Sequence, residues 1–135
     1  MMLKKNSEYE RWLFTAEENL ESAKTIRTNK VYPWTCYIAQ QAAETALKAY
    51  LIFQGEELPR IHLVKELLEN CGKYDKDFIA NIDEYKELDA YYIPTRYPNG
   101  LSDGTPGTYY SASDADKAIK LADKIVSLVK RKVNI

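Results

Sequence analysis

Between residues 7 and 29, apolar side chains recur at Tyr9, Trp12, Leu13, Ala16, Leu20, Ala23 and Ile26. Steps of three and four place them on one helix face, while Glu17, Glu18 and Glu21 fall off that stripe. Ser7 followed three residues later by Glu10 predicts a capping box at the start, and Asn29 predicts a left-handed cap at the end. Pro33 suits the first turn of a second helix, where a missing N–H costs nothing. Over 34–53 one stripe holds Cys36, Ala39, Ala43, Ala46, Tyr50 and Phe53, and Ile38, Ala42, Ala49 and Ile52 widen it. Five alanines let neighbouring helices approach closely, which predicts the central element of a bundle. Gln40, Gln41, Glu44 and Lys48 interrupt the pattern, and Gly55 supplies a stop.

The pattern continues with a short helix over 61–70, carrying Leu63, Val64, Leu67 and Leu68 and closed by Gly72. Another is expected over 76–91, with Phe78, Ile79, Ile82, Tyr85 and Leu88 as its apolar face. Residues 93–108 lose all periodicity, with four glycines or prolines in 99–108. Loops that long are usually functional or disordered. A last helix begins near Ser113, with Asp114 and Asp116 in its first turn. Its core face is Ala115, Ala118, Ile119, Ala122, Ile125, Val126 and Val129, and Lys130, Arg131 and Lys132 sit favourably at the negative end of its dipole. No segment alternates with a period of two, so no strand is expected. The reading is all-α: an antiparallel up-and-down helical bundle of three long and two short helices, one domain over 1–135.

Composition agrees with a folded domain, at 45% hydrophobic and 29% charged residues. A net charge of −1 excludes a global electrostatic grip on nucleic acid or membrane and leaves a local basic patch open. The N-terminus has no apolar signal region, and no run approaches the ~18 apolar residues of a membrane span, so a cytoplasmic protein is expected. Cys36 and Cys71 lie among apolar positions and read as buried free thiols. His62 is the only histidine, which leaves no zinc set, and no metal or cofactor is expected.

No phosphate-loop, dinucleotide or metalloprotease signature occurs, nor the Gly-Ser and Asp-x-Asp of a nucleotidyltransferase, so no complete catalytic set is found. Acid–base chemistry would rest on His62 or on perturbed carboxylates. The stretch Tyr91-Tyr92-Ile93-Pro94-Thr95-Arg96-Tyr97-Pro98 stands out. Its two prolines bracket Arg96 and Tyr97 and limit their directions. An arginine so held can take a phosphate through two parallel hydrogen bonds, and Tyr92 and Tyr97 could stack a base. The alternative pairs Arg96 with Glu44 or another carboxylate and lets the tyrosines cover the core. Glu44 and Lys48, four apart, could be an ordinary surface pair of about a few tenths of a kcal/mol. Gln40 and Gln41 could satisfy loop carbonyls or line a cleft. His62 could bond a free backbone group at the start of the short helix, or serve as base or phosphate ligand.

Taken in order, Trp12 with Ala16 and Leu20, Gln41-Ala42-Ala43-Glu44 leading to Leu47-Lys48-Ala49, His62-Leu63 with Leu67-Leu68, Thr95-Arg96-Tyr97-Pro98 and a closing amphipathic helix resemble the HEPN domain. The resemblance implies a helical bundle, commonly a homodimer, related to substrate-binding domains of nucleotidyltransferases. Many members of that family accompany a small nucleotidyltransferase subunit that supplies the catalytic groups. Others are metal-independent ribonucleases, often the toxin of a toxin–antitoxin pair, with an arginine followed four to six residues later by histidine. Here those positions after Arg96 are Gly100, Leu101 and Ser102. Arg96 therefore carries over as a phosphate ligand and no catalytic histidine does, which speaks against an enzyme. The expected function is a nucleotide-binding partner of a separate nucleotidyltransferase. Arg96 would take phosphate, Tyr97 and Tyr92 base or sugar, and Lys48 and His62 would line the cleft. One alternative is a ribonuclease using Arg96 with His62. The other is an interaction scaffold whose loop tyrosines, Tyr109 and Tyr110, form an interface.

Overall fold

The computed structural model describes residues 7–135. The chain runs α1 (Glu8–Thr28), α2 (Tyr32–Phe53), α3 (Val64–Gly72), α4 (Ile82–Tyr85), α5 (Pro106–Tyr109) and α6 (Ala112–Lys132), with 3-10 turns at Lys76–Phe78, Lys86–Tyr91 and Pro98–Gly100. Among the described residues every regular element is helical. The three long helices form the bundle, and α2 lies at its centre against α1, α6 and α3. The alanine stripe accounts for this: Ala39, Ala42, Ala43, Ala46 and Ala49 are fully buried, so neighbours close on α2 from several sides.

The ends of the helices follow local chemistry. Glu10 accepts hydrogen bonds from the Ser7 N–H (3.1 Å) and hydroxyl (2.7 Å), the expected capping box. Ser111 and Asp114 build a second one at α6. At the other end of α1 the left-handed residue is Lys30 (φ 61°), one place later than expected. Asn29 still donates its N–H to the Thr25 carbonyl (3.3 Å) and so prolongs the helix, which pushes the reversal onto Lys30. Gly55 stops α2 at φ 93°. Its N–H bonds Ile52 (2.9 Å) and that of Glu56 bonds Leu51 (3.1 Å), a Schellman closure.

The helix expected over 76–91 is broken into a 3-10 turn, α4 and another 3-10 turn. Spacing is the reason. Tyr85, Leu88 and Tyr91, all buried, are three apart. Side chains at i and i+3 eclipse in a 3-10 helix and drift apart in an α-helix. The expected 61–70 helix starts at Val64, because residues before it stay extended (Leu63 φ −88°, ψ 130°) and Asp89 caps it from a distance. Asp89 accepts the Val64 N–H (2.6 Å) and the Lys65 N–H (3.0 Å), one on each carboxylate oxygen. The irregular 93–108 segment contains one turn of helix, α5, capped by Thr105 and Thr108. Tyr110 is buried against Tyr91, leaving Tyr109 as the exposed member of that pair.

Both cysteines are free and buried, and burial pushes the Cys36 thiol up to about 12. Among the described residues no helix is long and apolar enough to cross a membrane.

Candidate functional site

One stripe of α2 differs from the rest. Trp34, Tyr37, Gln41, Glu44 and Lys48 follow steps of three and four, so they share a face. That face meets His62, which lies just before α3, and the turn carrying Tyr92, Arg96 and Tyr97.

Glu44 and Lys48 are each only 6% exposed, although both carry charge. Lys48 Nζ donates to Glu44 Oε2 at 2.9 Å, so its charge is compensated where it is buried. The sequence reading placed Lys48 at the cleft as a positive charge; in the fold that charge is paired with Glu44. The same oxygen lies 3.2 Å from His62 Nδ1, and Glu44 Oε1 accepts from Gln41 Nε2 at 3.3 Å. Gln41 Nε2 also donates to Gln40 Oε1 (2.7 Å), and Gln40 Nε2 donates to the His62 carbonyl (3.0 Å). The buried glutamine therefore satisfies a loop carbonyl, one of the two roles open to it. Together Gln40 fixes the backbone of His62 and Glu44 fixes its ring. The ionised carboxylate facing Nδ1 can only accept, which assigns a proton to Nδ1. The His62 side chain is 56% exposed.

The His62 ring stacks on Tyr92, centroids 5.8 Å apart and planes 12° from parallel. Arg96 meets the same tyrosine, with Cζ 4.8 Å from the Tyr92 centroid. Tyr37 (4.6 Å) and Tyr97 (5.3 Å) complete a cage of three rings around the guanidinium. Each contact is worth about 0.5–2 kcal/mol, more as the site dries. Arg96 Nε donates to the Tyr92 carbonyl at 2.9 Å. Among the described residues no carboxylate ion-pairs with Arg96; Glu44 goes to Lys48 and His62 instead. The two terminal nitrogens of Arg96 make no hydrogen bond among the described residues.

The fold thus brings Arg96, Tyr92, Tyr97 and His62 to one place. Tyr37 and Glu44 belong to it as well. Their signal was the helical spacing of aromatic and polar residues in an otherwise alanine-rich helix. Asp89, which holds the α3 terminus behind His62, had no comparable signal, since its partners lie 24 and 25 residues away. Burial raises the Asp89 carboxyl above its ordinary range, against the pull of the two backbone N–H groups. Among the described residues no group of three potential metal ligands comes together.

Several known proteins are similar to this chain in sequence or in fold. A protein of Methanocaldococcus jannaschii named "Putative toxin MJ1304" is 28% identical over 124 residues, covering 85% of this chain and 81% of the relative. The crystal structure of TT1696 from Thermus thermophilus superposes with a TM-score of 0.81 at 34% identity, covering 92% of this chain and 97% of the other. ST0689, described as an archaeal HEPN homologue, superposes with a TM-score of 0.71 at 32% identity over 95% and 99% of the two chains. The HEPN domain model matches residues 9–132, and the chain belongs to the HEPN domain family.

Proposed function

We propose that the chain is a nucleotide-binding HEPN module, acting as the substrate-binding partner of a separate small nucleotidyltransferase. The observation behind this reading is the half-buried Arg96, held by three tyrosine faces and a backbone carbonyl and free of any carboxylate among the described residues. A guanidinium kept ready without a counter-ion is a phosphate ligand. Tyr97, half exposed beside it, offers a face for the base, and His62 Nε2 an acceptor for a ribose hydroxyl. The partner supplies the metal-binding carboxylates that this sequence lacks, and pairing of two copies as a homodimer belongs to the same proposal. Calorimetric titration of a nucleoside monophosphate tests the site. Arg96→Ala should weaken binding at least tenfold and Arg96→Lys should recover only part; unchanged affinity in Arg96→Ala refutes the assignment.

A second reading rests on a different observation: His62 and Arg96 both lie on Tyr92, and Glu44 stands behind His62. Nε2 could remove the proton of a ribose 2′-hydroxyl, whose oxygen attacks the adjacent phosphorus while Arg96 neutralises the phosphate. The 5′-oxygen would leave with a proton from the imidazolium, giving a 2′,3′-cyclic phosphate. The toxin named among the relatives is consistent with such an activity. RNA cleavage that survives EDTA and disappears in His62→Ala would establish it; intact RNA after incubation with clean protein would end it.

A further inference from the structure

A groove of about 330 Å³ opens beside Arg96, lined by Lys30, Trp34, Thr95, Arg96, Pro106 and Gly107 among others. Its volume falls at the lower end of ligand sites, room for roughly one nucleoside. No acidic side chain is among its lining residues, and Lys30, like Arg96, has no ion-pair partner among the described residues. Lys30 holds the left-handed backbone conformation (φ 61°) that turns the chain from α1 into α2. Such a conformation is uncommon for a residue other than glycine or asparagine. Trp34 is 47% exposed, unusual for the largest aromatic side chain in the first turn of a helix. It stands edge-on to Tyr37 at 5.8 Å, and Tyr37 is one wall of the Arg96 cage. An unbroken series of ring contacts, with the Arg96 guanidinium in its middle, therefore runs from the groove to His62: Trp34, Tyr37, Arg96, Tyr92, His62.

We propose that this groove is a second base subsite, so that the ligand is a single-stranded oligonucleotide spanning Arg96 rather than a lone mononucleotide. One base stacks on Trp34, the next lies on the Tyr92–Tyr97 side, and Arg96 takes the phosphate between them. Lys30 faces the phosphate on the outer side of the Trp34 base. The chemistry is that of sequence-tolerant single-strand sites, where aromatic faces take bases and cations track the backbone. A protein partner would favour the same exposed aromatics, but two unpaired cations and no acid in the groove favour a polyanion. The inference rests on the nucleotide-binding reading of Arg96, which could hold without it.

The test uses the full chain in EDTA, with dAMP, tetradeoxyadenylate and its 2′-O-methyl ribose counterpart, none of which can react through a free 2′-hydroxyl. In a Trp12→Phe background Trp34 is the sole tryptophan, and its fluorescence should be quenched by either tetranucleotide and not by dAMP. Calorimetry should show the tetranucleotides binding at least tenfold more tightly than dAMP. Trp34→Ala should weaken them about five- to a hundredfold, the worth of one stacked base, and be rescued by Trp34→Phe. Lys30→Ala should lower the slope of log affinity against log salt by about 0.7. Equal affinity for one and four nucleotides overturns the proposal. So does a Trp34→Ala variant that changes the oligomeric state in light scattering but not tetranucleotide affinity, which would make the groove a protein contact. Loss of the Arg96 reading shows differently: dAMP affinity would then be indifferent to Arg96→Ala.

Discussion

Glu44 and Lys48 look, as a sequence pair, like any helical i, i+4 couple worth about a few tenths of a kcal/mol. Burial makes the removal of one partner far more costly than that. Each side chain is 7% exposed, and their nitrogen and oxygen sit 2.9 Å apart. Glu44→Leu leaves the Lys48 ammonium inside the bundle with no other partner among the described residues. An uncompensated buried charge of this kind costs about 3–5 kcal/mol. That is about a fifth or more of the roughly 5–15 kcal/mol that separates folded from unfolded domains. The melting temperature should fall by roughly 10–20 °C for a chain of this size. Lys48→Met should cost less, because Glu44 retains Gln41 at 3.3 Å and His62 at 3.2 Å.

The double variant Glu44→Leu/Lys48→Met separates charge from packing. With neither charge present, well-packed apolar side chains of similar volume are about neutral or stabilising. Urea titrations followed by circular dichroism should therefore give a coupling energy of about 3 kcal/mol or more across the cycle. The double variant should fold, yet its His62 ring has lost the oxygen that fixed it. Two single variants that each cost under about 1 kcal/mol and simply add would refute the reasoning, since that is how an exposed pair behaves.

Asp89→Ala removes the acceptor of two α3 backbone N–H groups and should cost about 1–3 kcal/mol, with Asp89→Asn intermediate because its amide can accept only one of them. Urea unfolding checks this, and a loss below about 0.5 kcal/mol would show that water replaces the cap. On the acid side, Lys132 holds the Asp75 carboxyl below its ordinary value and Arg27 does the same for Asp116. A depressed carboxyl stabilises the fold above its unfolded value near ~3.9, and that contribution is lost as pH falls through the folded value. Melting temperature should drop below about pH 4, and the drop should be shallower in Asp75→Asn; an unaltered acid slope would count against the pairing.

The bundle was legible because its signals are local. Heptad-like stripes, the Ser7–Glu10 box, Pro33 and Gly55 each act within a few residues, and the structure keeps them. The 76–91 segment departs from the single helix expected there for an instructive reason. Ile79, Ile82, Tyr85, Leu88 and Tyr91 are spaced by three throughout, the period of a 3-10 helix, and over a few turns that spacing also fits one side of an α-helix. The Arg-Tyr element stood out by its two prolines. What stayed hidden was pairing across the fold. The i, i+4 spacing offered Glu44 to Lys48, but whether Arg96 would also reach Glu44 depends on which way two distant segments face, and no spacing encodes that. The same holds for Asp89 and the α3 terminus.

The choice of partners at Arg96 has a physical logic. Had Glu44 paired with it, a phosphate would have to displace a carboxylate from the guanidinium, and its binding would be reduced by whatever that bond was worth. Tyrosine faces compensate a half-buried cation without taking its N–H donors, because the ring quadrupole attracts the charge without accepting through a lone pair. The Tyr92 carbonyl takes Nε and fixes the remaining rotation. What is left is the edge formed by the two terminal nitrogens, the geometry that matches two oxygens of one phosphate. On the α2 face, Glu44 is paired with Lys48, and the contact it makes outside its own helix goes to the His62 ring.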